Sequence, residues 1–294
     1  MQLLRTFLSV EAEGSFSGAA RALGCVQSNV TARMRKLEEH LGGALFDRGK
    51  GGARLTALGR RLRGHAVELV ARFEAAERDL LDAAGGSAPL RLGAMESTAA
   101  VRLPGLLRAL KEDCPTAPLT IKTGPTGELL TDLWERRLDA AFVAGPVDAD
   151  RFESVAAFEE TLVVVSNGPL DPSLPLIAFR RTCSYRAMAD GWLRARGWGD
   201  CELIEMGTLD GILGCVAAGV GFAVVPDCVA RQSSVAAGLA VSPLDGNDAR
   251  VTTYLAWRRD HAITQVHARL CRFLRASASH DDDDAKGMLA GASP

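Results

Sequence analysis

The hydrophobic pattern of this 294-residue chain changes at a segment rich in glycine, serine and proline, residues 85–89. Before this segment, apolar residues recur at helical spacing, whereas after it short apolar strands alternate with helical segments. Strands that alternate with helices are typical of α/β sheets with right-handed crossovers. The sequence therefore predicts a multidomain α+β chain with a helical N-terminal part and a larger α/β part. Its length also suits about two domains.

Three helical segments occupy the first 42 residues. The second is short, with Ser17 as its expected N-cap and Gly24 at its end, and the third runs from Gln27 to Gly42. Two helices joined by a short turn that contains glycine form the helix-turn-helix pattern. The alternative is an ordinary pair of helices with a solvated polar face. The first half of the third helix carries side chains that are able to bond base edges or phosphates, namely Gln27, Ser28, Asn29, Thr31, Arg33 and Arg35.

A short basic hairpin is expected after the third helix. The segment ALFDRGKGGARLT carries Arg48, Lys50 and Arg54 around a pair of glycines, which suits contact with a DNA backbone or minor groove. The net charge of -2 hides an asymmetry along the chain. Residues 15–65 hold ten basic and three acidic side chains, while residues 88–294 hold 21 basic and 26 acidic ones. The N-terminal part is therefore predicted to meet an anion.

Residues 4–62 resemble the winged helix-turn-helix signature of the LysR-type transcriptional regulators. The resemblance implies a DNA-binding domain over residues 1–58, with the helix that starts near Gln27 in the major groove. The DNA contacts implied are Ser17, Gln27, Ser28, Asn29, Thr31, Arg33, Arg35, Arg48, Lys50 and Arg54. Many relatives have arginine and then glutamine where this chain has Ala32 and Arg33, so base preference is not transferable at that turn.

A heptad-like pattern runs through the predicted linker helix, residues 59–87. Its apolar positions are spaced alternately by four and three residues, and they are Leu62, Ala66, Leu69, Phe73, Ala76 and Leu80. The alternative is an amphipathic helix packed on its own domain. The family resemblance implies an antiparallel dimerisation arm. A homodimer or homotetramer would then bind an interrupted inverted repeat in double-stranded DNA.

The remaining α/β part, residues 88–276, is predicted to form two lobes linked by chain crossings near residues 162–166 and 262–267. This arrangement resembles a periplasmic-binding-protein clamshell. The LysR family has an effector domain of this kind, which implies a small-molecule effector. The predicted bounds are about 88–162 plus 266–276 for lobe I and about 163–265 for lobe II.

Small polar residues follow several predicted strands, where helix N-termini would face a crevice. The effector-binding candidates are Glu96, Ser97, Thr98, Thr126, Ser184 and Thr208. The alternative is that these residues only cap helices. Glu96 leaves two hypotheses open. Either it accepts a proton from an effector that is an amine or neutral, or it pairs with Arg102 or Arg180 and the cleft takes an anion.

Two other function classes remain as alternatives. An α/β enzyme is disfavoured because the chain lacks the Gly-x-Ser-x-Gly, P-loop, Gly-x-Gly-x-x-Gly and His-Glu-x-x-His motifs. A thiol-redox regulator would use Cys183, Cys201 and Cys215. The seven cysteines contain no Cys-x-x-Cys pair and no histidine lies at metal-ligand spacing, so neither a metal nor another cofactor is expected.

The ends of the chain bear on location. The apolar run at the N-terminus is too short and too acidic for a signal peptide, and no window approaches about 18 consecutive apolar residues. We therefore expect a cytoplasmic protein without membrane contact. The family resemblance adds RNA polymerase as a partner. The tail, residues 277–294, contains Asp281–Asp284 and is expected to be a disordered acidic end.

Overall fold

The computed structural model describes residues 1–49, 52–85, 88–244, 249–261 and 263–275. Three of the sequence expectations therefore lie outside the described residues: those for Lys50, for the side chain of Arg48 and for the acidic tail. Contacts divide the chain into two compact units, Met1–Leu80 and Leu81–Pro294. No helix among the described residues is both long and apolar enough to cross a membrane.

The first unit contains three short helices, a hairpin and most of a long helix. In chain order these are α1 (Gln2–Glu13), α2 (Phe16–Ala22), α3 (Gln27–Leu41), β1 (Phe46–Gly49), β2 (Gly52–Leu55) and α4 (Ala57–Ala83). Ser15, rather than Ser17, caps α2, because its side chain accepts a hydrogen bond from the Gly18 amide at 3.0 Å. The backbone of Ser15 is extended directly after the left-handed Gly14, so the helix starts one residue later, at Phe16.

The core of the first unit joins α1 and α3 to the hairpin and to the first turns of α4. Phe7, Met34 and Leu45 are fully buried in it, and so is Ala66 from α4. Gly59 permits this packing, since a Cβ atom there would lie only 2.2 Å from the Leu45 carbonyl oxygen. The beginning of α4 therefore belongs to the helix-turn-helix domain.

The second unit is a mixed α/β domain. Among the described residues its strands follow the order β4-β3-β5-β11-β6-β9-β7-β8, with β10 also on β6. The strands are β3 (Leu90–Ala94), β4 (Leu119–Thr123), β5 (Ala140–Ala144), β6 (Phe152–Ser166), β7 (Leu176–Ala178), β8 (Leu203–Glu205), β9 (Phe222–Pro226), β10 (Ala240–Pro243) and β11 (Arg250–Arg258). The helices are α5 (Glu96–Val101), α6 (Leu103–Asp113), α7 (Thr126–Trp134), α8 (Ser184–Ala195), α9 (Leu209–Ala217), α10 (Asp227–Gln232) and α11 (residues 265–275).

The long strand β6 is shared by both lobes. Its residues 152–161 pair with β11, and its residues 162–166 pair with β9 and β10. Each lobe also has a parallel group of strands: β3 with β4 and β5 is joined to β6 through the antiparallel strand β11, whereas β7 with β8 and β9 is joined to β6 directly through β9. The predicted fold class is thus confirmed: a winged helix-turn-helix, a long helix and a two-lobed α/β domain.

The predicted position of the second crossing is wrong. Strand β11 pairs with β5 and with the first part of β6, so it lies in lobe I rather than in lobe II. Its Leu255 and Trp257 are buried in the same cluster as Leu90 and Leu92 of β3. The chain therefore crosses back between β10 and β11, before residue 250, and not near residues 262–267.

Candidate functional site

The first turn of α3 presents polar side chains to solvent. Gln27, Ser28 and Asn29 are all exposed, while Val30 and Met34 turn inward to the core. The helical period separates the two sets of side chains. The three exposed polar side chains form no hydrogen bond to any other residue in the described part of the chain. They are free to bond to a ligand.

The second half of the predicted polar set lies one turn further along α3. Thr31 and Arg33 are half-buried, and Arg33 has no ion pair among the described residues. Arg35 instead pairs with Glu39 at 2.9 Å on the exposed face. An exposed pair of this kind is worth only a fraction of a kcal/mol, so it holds Arg35 weakly.

A depression of about 260 Å³ connects α3 with α2 and the hairpin. Its rim includes Ser17, Gln27, Thr31 and Gly52, so Ser17 belongs to this surface although it caps no helix. The hairpin is fixed here because the Ala53 amide donates to the Gly14 carbonyl oxygen at 2.7 Å. One continuous surface therefore carries the α2 start, the α3 start and the hairpin.

The hairpin places Arg54 on its second strand. Arg54 is exposed and lies opposite Asp47 in the antiparallel register. Gly49 pairs with Gly52 at the end of the ladder, and Lys50, which follows Gly49 in the sequence, lies outside the described residues. Gly52 adopts φ +96°, and a Cβ atom there would lie 2.5 Å from the Gly14 carbonyl oxygen. Glycine is therefore required where the hairpin meets the turn after α1.

The predicted dimerisation positions divide into two groups. Ala66 is fully buried and Leu62 is partly buried in the core of the first unit, so these two residues stabilise their own domain. Leu69, Phe73 and Leu80 are 50%, 41% and 69% exposed, and Ala76 is exposed as well. The prediction of one continuous free seam is corrected. Apolar periodicity along α4 does not show which partner covers each position, and here Phe7 and Val10 of α1 belong to the core cluster that covers Ala66.

The second unit contains a pocket of about 200 Å³ between its lobes. Lobe I contributes the loops after β3 and β4, and lobe II contributes the segments after β7 and β8. Of the predicted residues, Glu96, Ser97 and Thr126 line it. Glu128 and Tyr185 also line it, although the sequence predicted neither, and so does Arg180, which the sequence suggested only as an alternative partner for Glu96.

The other three predicted effector residues are engaged elsewhere. Thr98 is buried. The Ser184 hydroxyl donates to the Ala144 carbonyl oxygen at 3.3 Å. Thr208 is the N-cap of α9 and accepts from the Gly211 amide at 3.2 Å. None of the three lines the pocket, and for Thr208 the capping alternative is the correct one.

Glu96 bridges the two lobes. Its carboxylate accepts a hydrogen bond from the Leu209 amide, at the N-terminus of α9, at 3.2 Å. Arg102 pairs instead with Glu160 at 3.3 Å, and no ion pair joins Glu96 to Arg180 in the described part of the chain. The second of the two hypotheses for Glu96, a pair with Arg102 or Arg180, therefore finds no such pair among these residues. The carboxylate joins the two lobes while it lines the pocket.

Tyr185 provides a second bridge between the lobes. The Ser97 hydroxyl of lobe I donates to the Tyr185 hydroxyl of lobe II at 3.4 Å, and Tyr185 is buried. Burial raises the pKa of the Tyr185 phenol above its ordinary value, so the group stays neutral. The chain has only two tyrosines, and the position of this one directly after Ser184, a predicted helix cap, is the sequence signal that could have indicated it.

Thr126 supports the pocket wall rather than projecting freely. Its hydroxyl oxygen accepts from the Ala144 amide at 3.1 Å, and the hydroxyl also contacts the Met95 sulfur at 3.4 Å. This residue ties the start of α7 to the end of β5. A polar ligand would therefore compete for the Thr126 hydroxyl with existing contacts.

The family models match the two units in turn. The family described as "Bacterial regulatory helix-turn-helix protein, lysR family" matches residues 1–60, and the "LysR substrate binding domain" matches residues 83–279. Together they account for most of the chain. The chain belongs to the LysR family of transcriptional regulators.

Relatives of similar length share this organisation. The uncharacterized HTH-type transcriptional regulator YusT of Bacillus subtilis (strain 168) is 36% identical over 268 residues, which cover 90% of this chain and 91% of YusT. GltR of the same organism is 32% identical over 283 residues, 94% and 96% of the two chains. The crystal structure of CbnR, a LysR family regulator, superposes with a TM-score of 0.68 at 21% identity, over 94% of this chain and 98% of CbnR. This likeness shows the shared fold.

Membership of the LysR family decides between the function classes. The chain is a LysR-type DNA-binding transcriptional regulator with an effector-binding domain, and the α/β enzyme alternative is set aside because the family consists of regulators.

The thiol-redox alternative is not favoured. Burial raises the pKa of the Cys183 thiol, which is the opposite of what an activated thiol needs. The Cys201 thiol donates to the Leu174 carbonyl oxygen at 3.3 Å, and Cys215 packs in a different apolar cluster from the other two.

Proposed function

We propose that this LysR-type regulator reads an interrupted inverted repeat in duplex DNA through α3 and the hairpin. One observation carries the proposal: the polar side chains at the start of α3 are exposed and make no side-chain hydrogen bonds with the rest of the described chain. Gln27 and Asn29 suit adenine edges, and Arg33 suits guanine. Ser17, Ser28, Thr31, Arg35 and Arg54 suit phosphates, as do Arg48 and Lys50 of the hairpin segment.

Self-association of the chain would bring two DNA-binding domains together. The exposed part of α4, with Leu69, Phe73, Ala76 and Leu80, provides an apolar surface for a second copy of the chain. CbnR, which shares the fold, is also known as a full-length complex with its target DNA, at a TM-score of 0.67 and 21% identity over 94% of this chain and 99% of that one. We propose that the protein acts in the cytoplasm as a homodimer or homotetramer, with RNA polymerase as a further partner.

A small-molecule effector occupies the pocket between the lobes in this proposal. Both lobes contribute to its walls, and two hydrogen bonds already join them across it: the Leu209 amide donates to the Glu96 carboxylate, and the Ser97 hydroxyl donates to the Tyr185 hydroxyl. A ligand that contacts both lobes favours the closed state over the open one. A shift in the equilibrium between these two states then changes the spacing between the paired DNA-binding domains and the bending of the bound DNA.

The DNA-binding proposal is tested by selecting duplexes from a random pool with the full-length protein. We expect an inverted repeat with a spacer to be enriched. Arg33→Ala is then expected to weaken binding to the selected duplex by about 10- to 100-fold, since one good bidentate base contact is worth about 1–3 kcal/mol. Arg194→Ala, an exposed change on α8 of the other unit, is the control. Equal weakening on selected and random duplexes would assign Arg33 to phosphate contact, and enrichment of no sequence would refute the proposal.

A further inference from the structure

The charged side chains around the pocket have opposite signs on opposite lobes. Glu96 at the start of α5 and Glu128 in the first turn of α7 belong to lobe I, whereas Arg180 follows β7 in lobe II. The pocket thus has one acidic wall and one basic wall.

These charges are not neutralised by each other. Glu128 and Arg180 form no ion pair or hydrogen bond with any residue of the described ranges. Glu96 has one such contact, the hydrogen bond from the Leu209 amide. Glu128 bends back toward the pocket loop, with its carboxylate 3.8 Å from the position that a Cβ atom of Gly124 would occupy. The Glu128 and Arg180 side chains are both exposed, so water solvates their charges, and an uncharged ligand between them would displace part of that water without pairing either charge.

We propose that the effector is a small zwitterion of the amino-acid class, and this proposal rests on the effector-binding function proposed above. Its ammonium group lies between Glu96 and Glu128, and its carboxylate lies against the Arg180 guanidinium. The Met95, Phe179 and Met206 side chains leave room for a short apolar substituent. The pocket volume of about 200 Å³ is below the roughly 300–1,000 Å³ typical of pockets for drug-sized ligands. It therefore favours a ligand as small as an amino acid.

Ligands with one charge fit less well. A simple carboxylate would satisfy Arg180 but would face two carboxylates, and like charges at short range disfavour binding. A simple amine would satisfy the acidic wall and leave Arg180 unpaired in the closing cleft. A zwitterion pairs with both walls, and because each wall belongs to a different lobe, it also favours closure.

Thermal unfolding of the full-length protein tests the ligand class. The probes are short α- and β-amino acids, each compared with its deaminated acid and its decarboxylated amine at equal concentration and ionic strength. We expect at least one amino acid to raise the melting temperature in a saturable manner, by several degrees, while its acid and amine partners leave it unchanged. An equal shift with an acid or amine alone, or no shift with any zwitterion, would overturn the proposal.

Two substitutions test the assigned walls. Glu128→Gln and Arg180→Gln are each expected to raise the Kd of the responding amino acid about ten-fold or more, and Glu128→Gln is also expected to improve binding of the deaminated acid. Arg181→Gln and Glu202→Gln are matched controls, since both residues are exposed and neither lines the pocket. Unchanged binding in Arg180→Gln would contradict the proposal.

The selection of DNA duplexes distinguishes a failure of this inference from a failure of the proposed regulator function. A protein that selects a duplex but responds to no zwitterion would retain the regulator function and lose the ligand class. A protein that selects no duplex would lose the DNA-binding proposal whatever the probes show.

Discussion

The polar side chains of the DNA-binding surface and of the effector pocket differ in what they contact within the protein. At the start of α3, Gln27, Ser28 and Asn29 are exposed and have no hydrogen-bond partner among the described residues. In the pocket, Glu96, Ser97 and Thr126 each form a hydrogen bond that joins two elements of the domain. Substitution should therefore affect recognition alone at Gln27, Ser28 and Asn29, but recognition, stability and lobe closure together at Glu96, Ser97 and Thr126.

The largest difference in stability is expected between substitutions in two ion pairs, one in the effector domain and one on α3. Glu160 is only 5% exposed, and it accepts hydrogen bonds from Arg102 at 3.3 Å and from the Cys228 thiol at 3.1 Å. Glu160→Ala is expected to lower the free energy of unfolding by about 3 kcal/mol, because it leaves a partly buried arginine unpaired. Glu39→Ala removes the exposed pair with Arg35, and we expect a loss below about 0.5 kcal/mol. Urea denaturation measures both, and equal losses would remove the contrast.

The second largest effect is expected on the pH dependence of stability, and it comes from a histidine of the effector domain. Burial, with a smaller contribution from His261, lowers the pKa of His267 from 6.5 to about 4, against an opposing effect of Asp139. The unfolded chain then binds a proton more readily than the folded chain. Stability is therefore full above pH 6.5 and falls by about 3 kcal/mol as the pH drops to 4.

His267→Leu tests the source of this acid sensitivity. The variant should show little pH dependence between pH 6.5 and 5, a window that lies above the ordinary pKa values of both aspartate and glutamate, about 3.9 and 4.3. His280→Leu, in the C-terminal tail outside the described residues, controls for loss of a histidine as such. Unfolding curves at several pH values measure the effect, and a full acid response in His267→Leu would show that another group is responsible.

A smaller difference is expected between two helix-start residues. Thr208→Ala removes the N-cap of α9 and should cost about 1 kcal/mol of stability. Asn29→Ala, in the first turn of α3, should change stability by less than about 0.5 kcal/mol because no internal bond is lost. Denaturation measures both variants. A larger loss in Asn29→Ala than in Thr208→Ala would show that α3 depends on its polar face for stability.

The difference between the start of α3 and the pocket also explains which features could be predicted from the sequence. The helical period places Val30 and Met34 inward, so the exposed set on α3 follows from local pattern alone. The glycines at 51 and 52 likewise predicted the hairpin. Ser15 and Ser17 flank Phe16 with the same side chain, and only the backbone conformation after Gly14 decides which one caps α2.

The pocket depends on contacts between residues distant in the chain, which local pattern does not contain. Glu128, Arg180 and Tyr185 come from α7, the segment after β7 and α8, and only the fold brings them together. Strand order is non-local in the same way, which is why β11 was assigned to the wrong lobe. The apolar repeat of α4 correctly predicted a long helix, but it could not show that Ala66 is covered by its own domain.

The central claim is that the start of α3 reads DNA without supporting the fold. Its most direct test is the triple variant Gln27→Ala, Ser28→Ala, Asn29→Ala, measured at one fixed salt concentration on the selected duplex and on a random duplex, with the unfolding free energy in parallel. We expect binding to the selected duplex to weaken by about 100-fold or more, binding to random duplex to change by less than about three-fold, and stability to be unchanged. Equal weakening on both duplexes, or a loss of stability that accounts for the lost binding, would contradict the claim.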